Sequence, residues 1–109
     1  VDRIKASGVT AVVTYNDVMG IGLLREAIAQ GIKIPEDLSI IGFDNIFGSD
    51  FTSPPLSTVR QDLEKTGDEG VSALMSLLAD GELTPADIAA PQHETSLLVR
   101  GSTAKAKKA

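Results

Sequence analysis

The sequence contains no cysteine and no tryptophan, and it has a single histidine, His93, among its 109 residues. Without cysteine the chain can form neither a disulfide nor a thiolate metal site, so cysteine usage leaves the redox compartment open. One histidine without thiolate partners is a weak basis for a transition-metal site. We therefore predict no metal centre.

Long apolar runs are also missing. Charged residues or glycines interrupt every run well before the ~18 residues that a membrane-spanning helix needs. Residues 1–10, VDRIKASGVT, lack the apolar segment of a secretory signal peptide. Because Val1 is not an initiator methionine, the sequence leaves open whether residues precede it. We expect no association with a membrane.

Positive charge is scarce, since 10 lysines and arginines stand against 15 aspartates and glutamates, giving a net charge of −5. Nucleic-acid binding needs a surface that neutralises phosphates, and this composition does not supply one. The one basic cluster lies in the tail at 105–109, which is more typical of a solvated chain end than of a binding site.

The apolar residues that are present make up 42% of the chain and predict an α/β fold with an open, mostly parallel sheet and flanking helices. The run VTAVVTY at 9–15 is rich in β-branched residues and does not alternate, which is typical of a strand covered on both faces. A helix is predicted from about 17 to 30 and a second strand from 38 to 43. Strand, helix and strand with short connections form a βαβ unit with a right-handed crossover.

The helix of this unit is apolar on more than one side, so we expect one face to pack on the sheet and another to meet a second subunit. Downstream we predict a strand at 56–61, an amphipathic helix at 62–80, a loop at 82–92 and a strand at 93–103. Two helices cover an open parallel sheet poorly, because such a sheet needs cover on both faces. We therefore expect a fragment of a longer protein, or a chain that pairs with another.

Polar side chains follow both strands of the βαβ unit: Asn16 and Asp17 after the first strand, Asp44 and Asn45 after the second. In open α/β sheets ligands bind beyond the carboxyl ends of the strands, and neighbouring ends lie within ~5–10 Å of each other. Amide donors beside carboxylate acceptors suit a ligand rich in hydroxyl groups, such as a sugar. The simpler alternatives are that Asn16 or Asp17 caps the helix and that the second pair begins a turn.

Patterns for catalysis are weak. Asp17 and Asp44 could form a carboxylate pair for glycoside hydrolysis, but such pairs arise by chance among 15 acidic residues. No G-x-S-x-G elbow provides a nucleophile for His93. No phosphate-binding G-x-x-x-x-G-K-[ST] is present, and the Gly-Ile-Gly at 20–22 lies inside the predicted helix rather than before it. We therefore predict that the chain is not an enzyme and uses no cofactor.

Three segments carry a family resemblance: TAVVTYNDVMGIGLLREAIAQGIKIPEDLSIIGFDN, FTSPPLSTVRQD and LLVRGST. Together they resemble the C-terminal part of LacI/GalR-family transcription regulators over about residues 8–104. Periplasmic sugar-binding proteins share the first segment, whereas PPLSTVRQD followed by VRGST separates the regulators from those receptors. The resemblance implies the effector-sensing and dimerisation fragment of a sugar-responsive, DNA-binding regulator. The alternative is a periplasmic-type sugar-binding receptor for a transporter.

The resemblance implies a two-lobed, periplasmic-binding-protein-like (type I) effector domain with the ligand in the cleft between its lobes. Residues 1–60 would belong to the C-terminal lobe, 61–92 to the N-terminal lobe, 93–104 to a returning strand and 105–109 to a tail. Such regulators are cytoplasmic homodimers that bind operator DNA through a headpiece, which is absent from this sequence, and they do not contact a membrane. Effector binding rearranges the lobes and so changes operator binding allosterically.

The resemblance also implies roles for single residues. Asn16 and Asp44 match positions that hydrogen-bond the effector, Gln61 matches a position at the cleft edge, and Leu63 would flank the ligand. The class of effector stays open among a sugar, a sugar phosphate, a nucleobase and a co-regulator protein.

The remaining polar residues of the βαβ unit, Asp17 and Asn45, are then expected to serve as helix cap and turn. A dimer face is implied on the first helix and on the loop that follows the second strand. Its residues are Met19, Ile21, Leu24, Arg25, Phe47 and Phe51.

Overall fold

The computed structural model describes residues 1–81 and 94–106, which divide into two units. The first unit comprises residues 1–60 and the segment from Ser96 onward, and the second runs from Gln61 to Thr95. The predicted loop at 82–92, His93 and the last three residues lie outside the described residues.

A sheet of four strands forms the centre of the first unit, in the order β1 (Ala11–Val13), β2 (Ser39–Phe43), β3 (Ser57–Arg60) and β4 (Ser96–Leu98). The first three strands are parallel, and β4 runs antiparallel to β3. This confirms the predicted open, mostly parallel α/β sheet. The strands nearest the two ends of the chain, β1 and β4, are shorter than predicted. The helices of this unit are α1 (Asp2–Ser7), which precedes β1, and α2 (Asp17–Ala29), which connects β1 to β2.

The core lies between α2 and the strands β2 and β3. The residues that α2 buries are spaced by three and four, as one face of a helix requires: Asp17, Gly20, Leu24 and Ala27. They face a cluster of aliphatic side chains that are each at most 8% exposed: Ile34, Leu38, Ile40 and Leu56. Burying each of these large side chains contributes roughly 1.5–3 kcal/mol, so this packing fixes the helix on the sheet.

The end of α2 follows from local sequence, as predicted. Gly31 adopts a left-handed conformation with φ 77°, which glycine takes without a steric penalty. Its amide donates to the carbonyl of Ile28 at 2.9 Å, and the Ile32 amide donates to the carbonyl of Ala27 at 3.0 Å. These two bonds form a Schellman motif, and Ile32 packs against the core beyond it.

The second unit contains the long helix α3 (Leu63–Asp80), close to the predicted 62–80. Asp62 caps its start by accepting from the Lys65 amide at 3.1 Å, and Gly81 ends it with φ 74°. Its apolar stripe is exposed, with side chains between 38% and 72% accessible: Leu63, Val71, Leu74, Met75, Leu77 and Leu78. No helix in the described parts of the chain is long and apolar enough to cross a membrane.

One short helix was not predicted. Helix α1 has six residues and its N-cap Val1 makes no side-chain capping bond, so it carries none of the usual start signals. It ends at Gly8, whose φ is 69°. Its Ile4 packs against the core, which is a tertiary contact rather than a local preference.

We expect Gly42→Ala to lower the free energy of unfolding by about 3 kcal/mol or more. A Cβ at this position in β2 would clash with the Asp17 carboxylate and would lie 3.0 Å from Leu56 Cδ2, so the core would be overpacked. The matched control is Gly22→Ala, whose Cβ meets nothing within 4 Å on α2. That change should raise stability by ~0.5–1 kcal/mol. Urea unfolding of both variants measures the difference, and equal stabilities would contradict the packing described for Gly42.

Candidate functional site

The turn after β2 has an unusual backbone conformation. Asp44 has φ 101° and Asn45 has φ 54°, and these are the two non-glycine residues with positive φ among those described. Such conformations cost on the order of 1–3 kcal/mol each outside glycine and persist only where surrounding contacts impose them. Both side chains are half-buried. The turn is therefore a candidate for a function that requires this geometry.

Contacts from α2 and β3 hold the 44–46 turn, meaning Asp44, Asn45 and Ile46. Its three successive amides all donate hydrogen bonds. The first donates to the carbonyl of Val59 at 2.9 Å, the second to Thr58 Oγ1 at 3.3 Å and the third to Asp17 Oδ2 at 2.9 Å. The backbone from which the Asp44 side chain extends is thus held by neighbours from two other elements.

Asp17 is a correction to the sequence-based roles. We expected it to cap α2, but it is the first residue of the helix and its side chain is fully buried. Its Oδ1 accepts from Thr58 Oγ1 at 2.5 Å, and its Oδ2 accepts from the Ile46 amide. The absence of a side chain at Gly42 leaves the space that the carboxylate occupies.

Asn16 is the actual N-cap of α2. Its Oδ1 accepts from the Met19 amide at 2.9 Å, and its side chain is half-buried. Among the described residues its Nδ2 has no hydrogen-bond partner, so the amide group can still donate to a ligand. Capping and ligand binding are therefore compatible for this one side chain.

Asn16 and Asp44 follow the carboxyl ends of the neighbouring parallel strands β1 and β2, so both lie at the same edge of the sheet. One offers an amide donor and the other a carboxylate acceptor, which together match the donor and acceptor of a hydroxyl group. Gln61 directly follows β3 and is half-buried, but it belongs to the second unit, as does Leu63. Their placement toward the other two residues stays a prediction.

Arg100 organises the connection from β2 to β3, a role that the sequence did not reveal. Its Nη2 donates to Asn45 Oδ1 at 2.7 Å, and its Nη1 donates to Ser49 Oγ at 3.0 Å and to the Leu56 carbonyl at 2.8 Å. One guanidinium therefore holds the start, the middle and the end of the segment 45–56. The signal lies in VRGST, which we read only as a mark of family.

The hydroxyl of Ser102 joins β2 and β3 at the opposite, amino edge of the sheet. It donates to the Ile40 carbonyl at 2.6 Å and accepts from the Ser57 amide at 2.7 Å. The Ile40 amide in turn donates to the Ser102 carbonyl at 2.8 Å. The stretch after β4 therefore closes the sheet at this edge rather than extending the strand to the predicted residue 103.

The predicted dimer residues divide into two groups. Phe47 and Phe51 are 92% and 71% exposed, and their rings meet edge to face with centroids 5.1 Å apart. Met19 is 56% exposed, Arg25 is exposed and Ile21 is half-buried. Leu24 is a correction, because it is only 3% exposed and packs in the core of its own chain. Leu24 therefore lies on the sheet-facing side of α2.

Within the described ranges, no group of three or more histidine, cysteine, aspartate or glutamate side chains is placed to hold a metal ion.

A family model described as a periplasmic binding protein-like domain matches residues 2–103. The chain belongs to the periplasmic binding protein-like domain family. Among curated relatives, the HTH-type transcriptional repressor CytR of Escherichia coli K12 is 43% identical over 94 residues, which are 86% of this chain and 27% of CytR. The repressor PurR of Vibrio cholerae is 42% identical over 73 residues, which are 67% of this chain and 22% of PurR. The chain thus spans about a quarter of the length of these curated relatives.

Solved structures of this periplasmic binding protein-like family agree. The transcriptional regulator CelR, in complex with cellobiose, superposes with a TM-score of 0.81 at 32% identity, over 93% of this chain and 29% of that one. A LacI-family regulator of Enterococcus faecalis V583 with bound ribose gives a TM-score of 0.81 at 33% identity, over 98% and 39% of the two chains. The resemblance to LacI/GalR regulators is confirmed. The alternative of a transporter receptor is not supported, because these relatives are transcription regulators.

We expect Arg100→Lys to lower the free energy of unfolding by about 1–3 kcal/mol. Lysine keeps the charge, but its compact ammonium cannot donate at once to three acceptors arranged around a planar guanidinium. The control is Arg3→Lys on the exposed surface of α1, which should stay within ~0.5 kcal/mol of the parent. Thermal unfolding followed by circular dichroism measures both variants. Equal stability of the two would mean that the hydrogen bonds of Arg100 do not hold segment 45–56.

Proposed function

We propose that this chain is the effector-sensing and dimerisation part of a LacI/GalR-type transcription regulator. It binds a small hydroxyl-rich effector, and this binding changes operator binding allosterically. One observation carries the proposal: Asn16 and Asp44 present a donor and an acceptor at the same sheet edge, and the acceptor stands on a strained, fully bonded turn. Strain that the surrounding contacts impose is characteristic of sites that must be preorganised.

A sugar is the proposed class of effector. Each sugar hydroxyl donates one hydrogen bond and accepts others, so an amide donor and a carboxylate acceptor can bind adjacent hydroxyls. The neighbours bound to cellobiose and to ribose support this class for related proteins. Gln61 would add a third polar contact and Leu63 an apolar one from the second unit. We propose that the chain acts without catalysis, as the curated relatives are repressors.

The proposed setting of the chain is a cytoplasmic homodimer. Operator DNA would be contacted through a headpiece outside these 109 residues, which agrees with the net charge of −5 of the present sequence. Neither the composition nor any described helix suggests a membrane partner.

The proposed dimer contact is the α2–loop surface, which we define as Met19, Ile21, Arg25, Phe47 and Phe51. The Ile46 amide donates a hydrogen bond to Asp17 Oδ2, so the aromatic loop begins beside the first turn of α2. The two exposed phenylalanine rings of the loop and the exposed Met19 in the first turn of α2 provide apolar area of the kind that marks protein interfaces. Leu24 is left out because it is buried.

We expect Asn16→Asp and Asp44→Gly each to weaken effector binding about tenfold or more without loss of fold. Aspartate at position 16 keeps the capping acceptor but loses the Nδ2 donor, and glycine at position 44 removes the carboxylate while relieving the positive φ. The test begins with a thermal-shift screen of the protein against ribose, lactose and cellobiose. Calorimetry with the sugar that gives a shift then compares the variants.

The control for this pair is Asp50→Asn, an exposed carboxylate on the same segment. It should bind the sugar as the parent does. Unchanged affinity in both Asn16→Asp and Asp44→Gly would refute the proposed site, and a retained thermal midpoint in all three variants would show that affinity, not folding, was measured.

We expect Phe47→Ser with Phe51→Ser to shift the protein from dimer toward monomer. The two rings supply the largest exposed apolar area of the α2–loop surface, and removing them takes away most of its hydrophobic burial. Sedimentation velocity over a range of concentrations measures the change. Val99→Ser is the control, since Val99 is 69% exposed but lies outside this surface. An unchanged dimer in the double variant would place the interface elsewhere.

A further inference from the structure

Asp17 is buried in a way that helix capping does not explain. Its side chain has no exposed surface, and in the described part of the chain no lysine or arginine forms an ion pair with it. Aspartate is almost never fully buried unless it is paired, because removing a carboxylate from water is expensive. An acidic residue in the first turn of a helix gains from the helix dipole without being buried at all. The burial therefore needs another reason.

The reason lies in what the carboxylate binds. One oxygen accepts from the Ile46 amide, and the other accepts from Thr58 Oγ1. The same threonine hydroxyl accepts from the Asn45 amide. Two of the three amides of the 44–46 turn are thus tied to Asp17, one directly and one through Thr58.

Asp17 also follows Asn16 in the chain. Its backbone is fixed to the residue that offers the amide donor, and its side chain is fixed to the turn that carries the carboxylate of Asp44. The carboxylate of Asp17 therefore bridges the two halves of the candidate effector site, although it faces the interior and not the ligand.

We propose that Asp17, together with Thr58, is a positioning residue that sets the separation of Asn16 and Asp44 and thereby the fit of the effector. The inference rests on the proposed function, since it concerns the same site. Under this proposal the buried pair on α2 and β3 contributes to effector affinity, although neither side chain contacts the effector.

The chain offers a matched pair of substitutions to test this. Thr58 and Ser102 are both fully buried, and each hydroxyl accepts from one backbone amide and donates to one oxygen. Thr58 accepts from the 44–46 turn, which follows the carboxyl end of β2, whereas Ser102 bonds Ile40 and Ser57 near the amino ends of β2 and β3. Thr58→Val and Ser102→Ala each delete one bridging hydroxyl, and Thr58→Ser keeps it.

Two readouts are taken on the whole protein. Calorimetry with ribose, lactose or cellobiose, whichever binds the parent, should show about tenfold weaker binding in Thr58→Val but near-parent binding in Thr58→Ser and in Ser102→Ala. Hydrogen exchange should show faster exchange of the Asn45 and Ile46 amides in Thr58→Val alone. Thr58→Val and Ser102→Ala should have similar thermal midpoints. A difference between them in sugar affinity or amide exchange then reflects the position of the deleted hydroxyl and not a loss of stability.

The proposal is overturned if the Asn45 and Ile46 amides exchange as slowly in Thr58→Val as in Ser102→Ala. It is also overturned if Thr58→Val binds the sugar as tightly as Ser102→Ala does while Asp44→Gly has lost binding. If Asp44→Gly also binds normally, the proposed effector site has failed instead, and faster exchange in Thr58→Val then still supports positioning of the turn. Should Thr58→Val not fold, Asp17→Asn replaces it, because asparagine keeps the size and an acceptor for the Ile46 amide. It should then show the same selective loss.

Discussion

The buried carboxylate of Asp17 is the contact on which the arrangement of the first unit depends. It requires a glycine at position 42, since any Cβ there would clash with it, and a hydroxyl at position 58 to donate to it. It also accepts a hydrogen bond from the Ile46 amide, which fixes the path of the chain after β2. Its desolvation is offset by these donors and by its place in the first turn of α2, where the helix dipole favours negative charge.

The two edges of the sheet are held by different chemistry. At the amino edge, the Ser102 hydroxyl links β2 and β3 through short hydrogen bonds to backbone groups, and no described non-glycine residue there has a positive φ. After the carboxyl end of β2, Asp44 and Asn45 have positive φ. The Val59 carbonyl holds the Asp44 amide, and the side chains of Thr58 and Arg100 hold Asn45. The strained turn is held by contacts from α2, β3 and Arg100, and functional loops are commonly supported by a rigid scaffold in this way.

Local signals predicted most of the fold, and tertiary contacts decided what they missed. The β1–α2–β2 unit and the stop at Gly31 follow from residue periodicity and turn chemistry within short windows. The burial of Asp17, which was expected to cap the helix, depends on the space above Gly42 and on Thr58, which lies 41 residues from Asp17. Leu24 was misplaced for a related reason. A helix that is apolar on several sides does not reveal which side faces the sheet.

The proposed effector turn and the proposed dimer surface are parts of one short segment. Asp44 and Phe47 are three residues apart, at most ~11 Å of extended chain. Arg100 binds Asn45 and Ser49 with the same planar guanidinium, so the loop that carries Phe47 is closed at both ends by one group. A displacement of the turn by a ligand must therefore either move this loop or break those hydrogen bonds. Coupling between the proposed effector turn and the proposed dimer surface then requires no route longer than the segment itself, and packed, hydrogen-bonded segments of this kind can carry energetic coupling between sites.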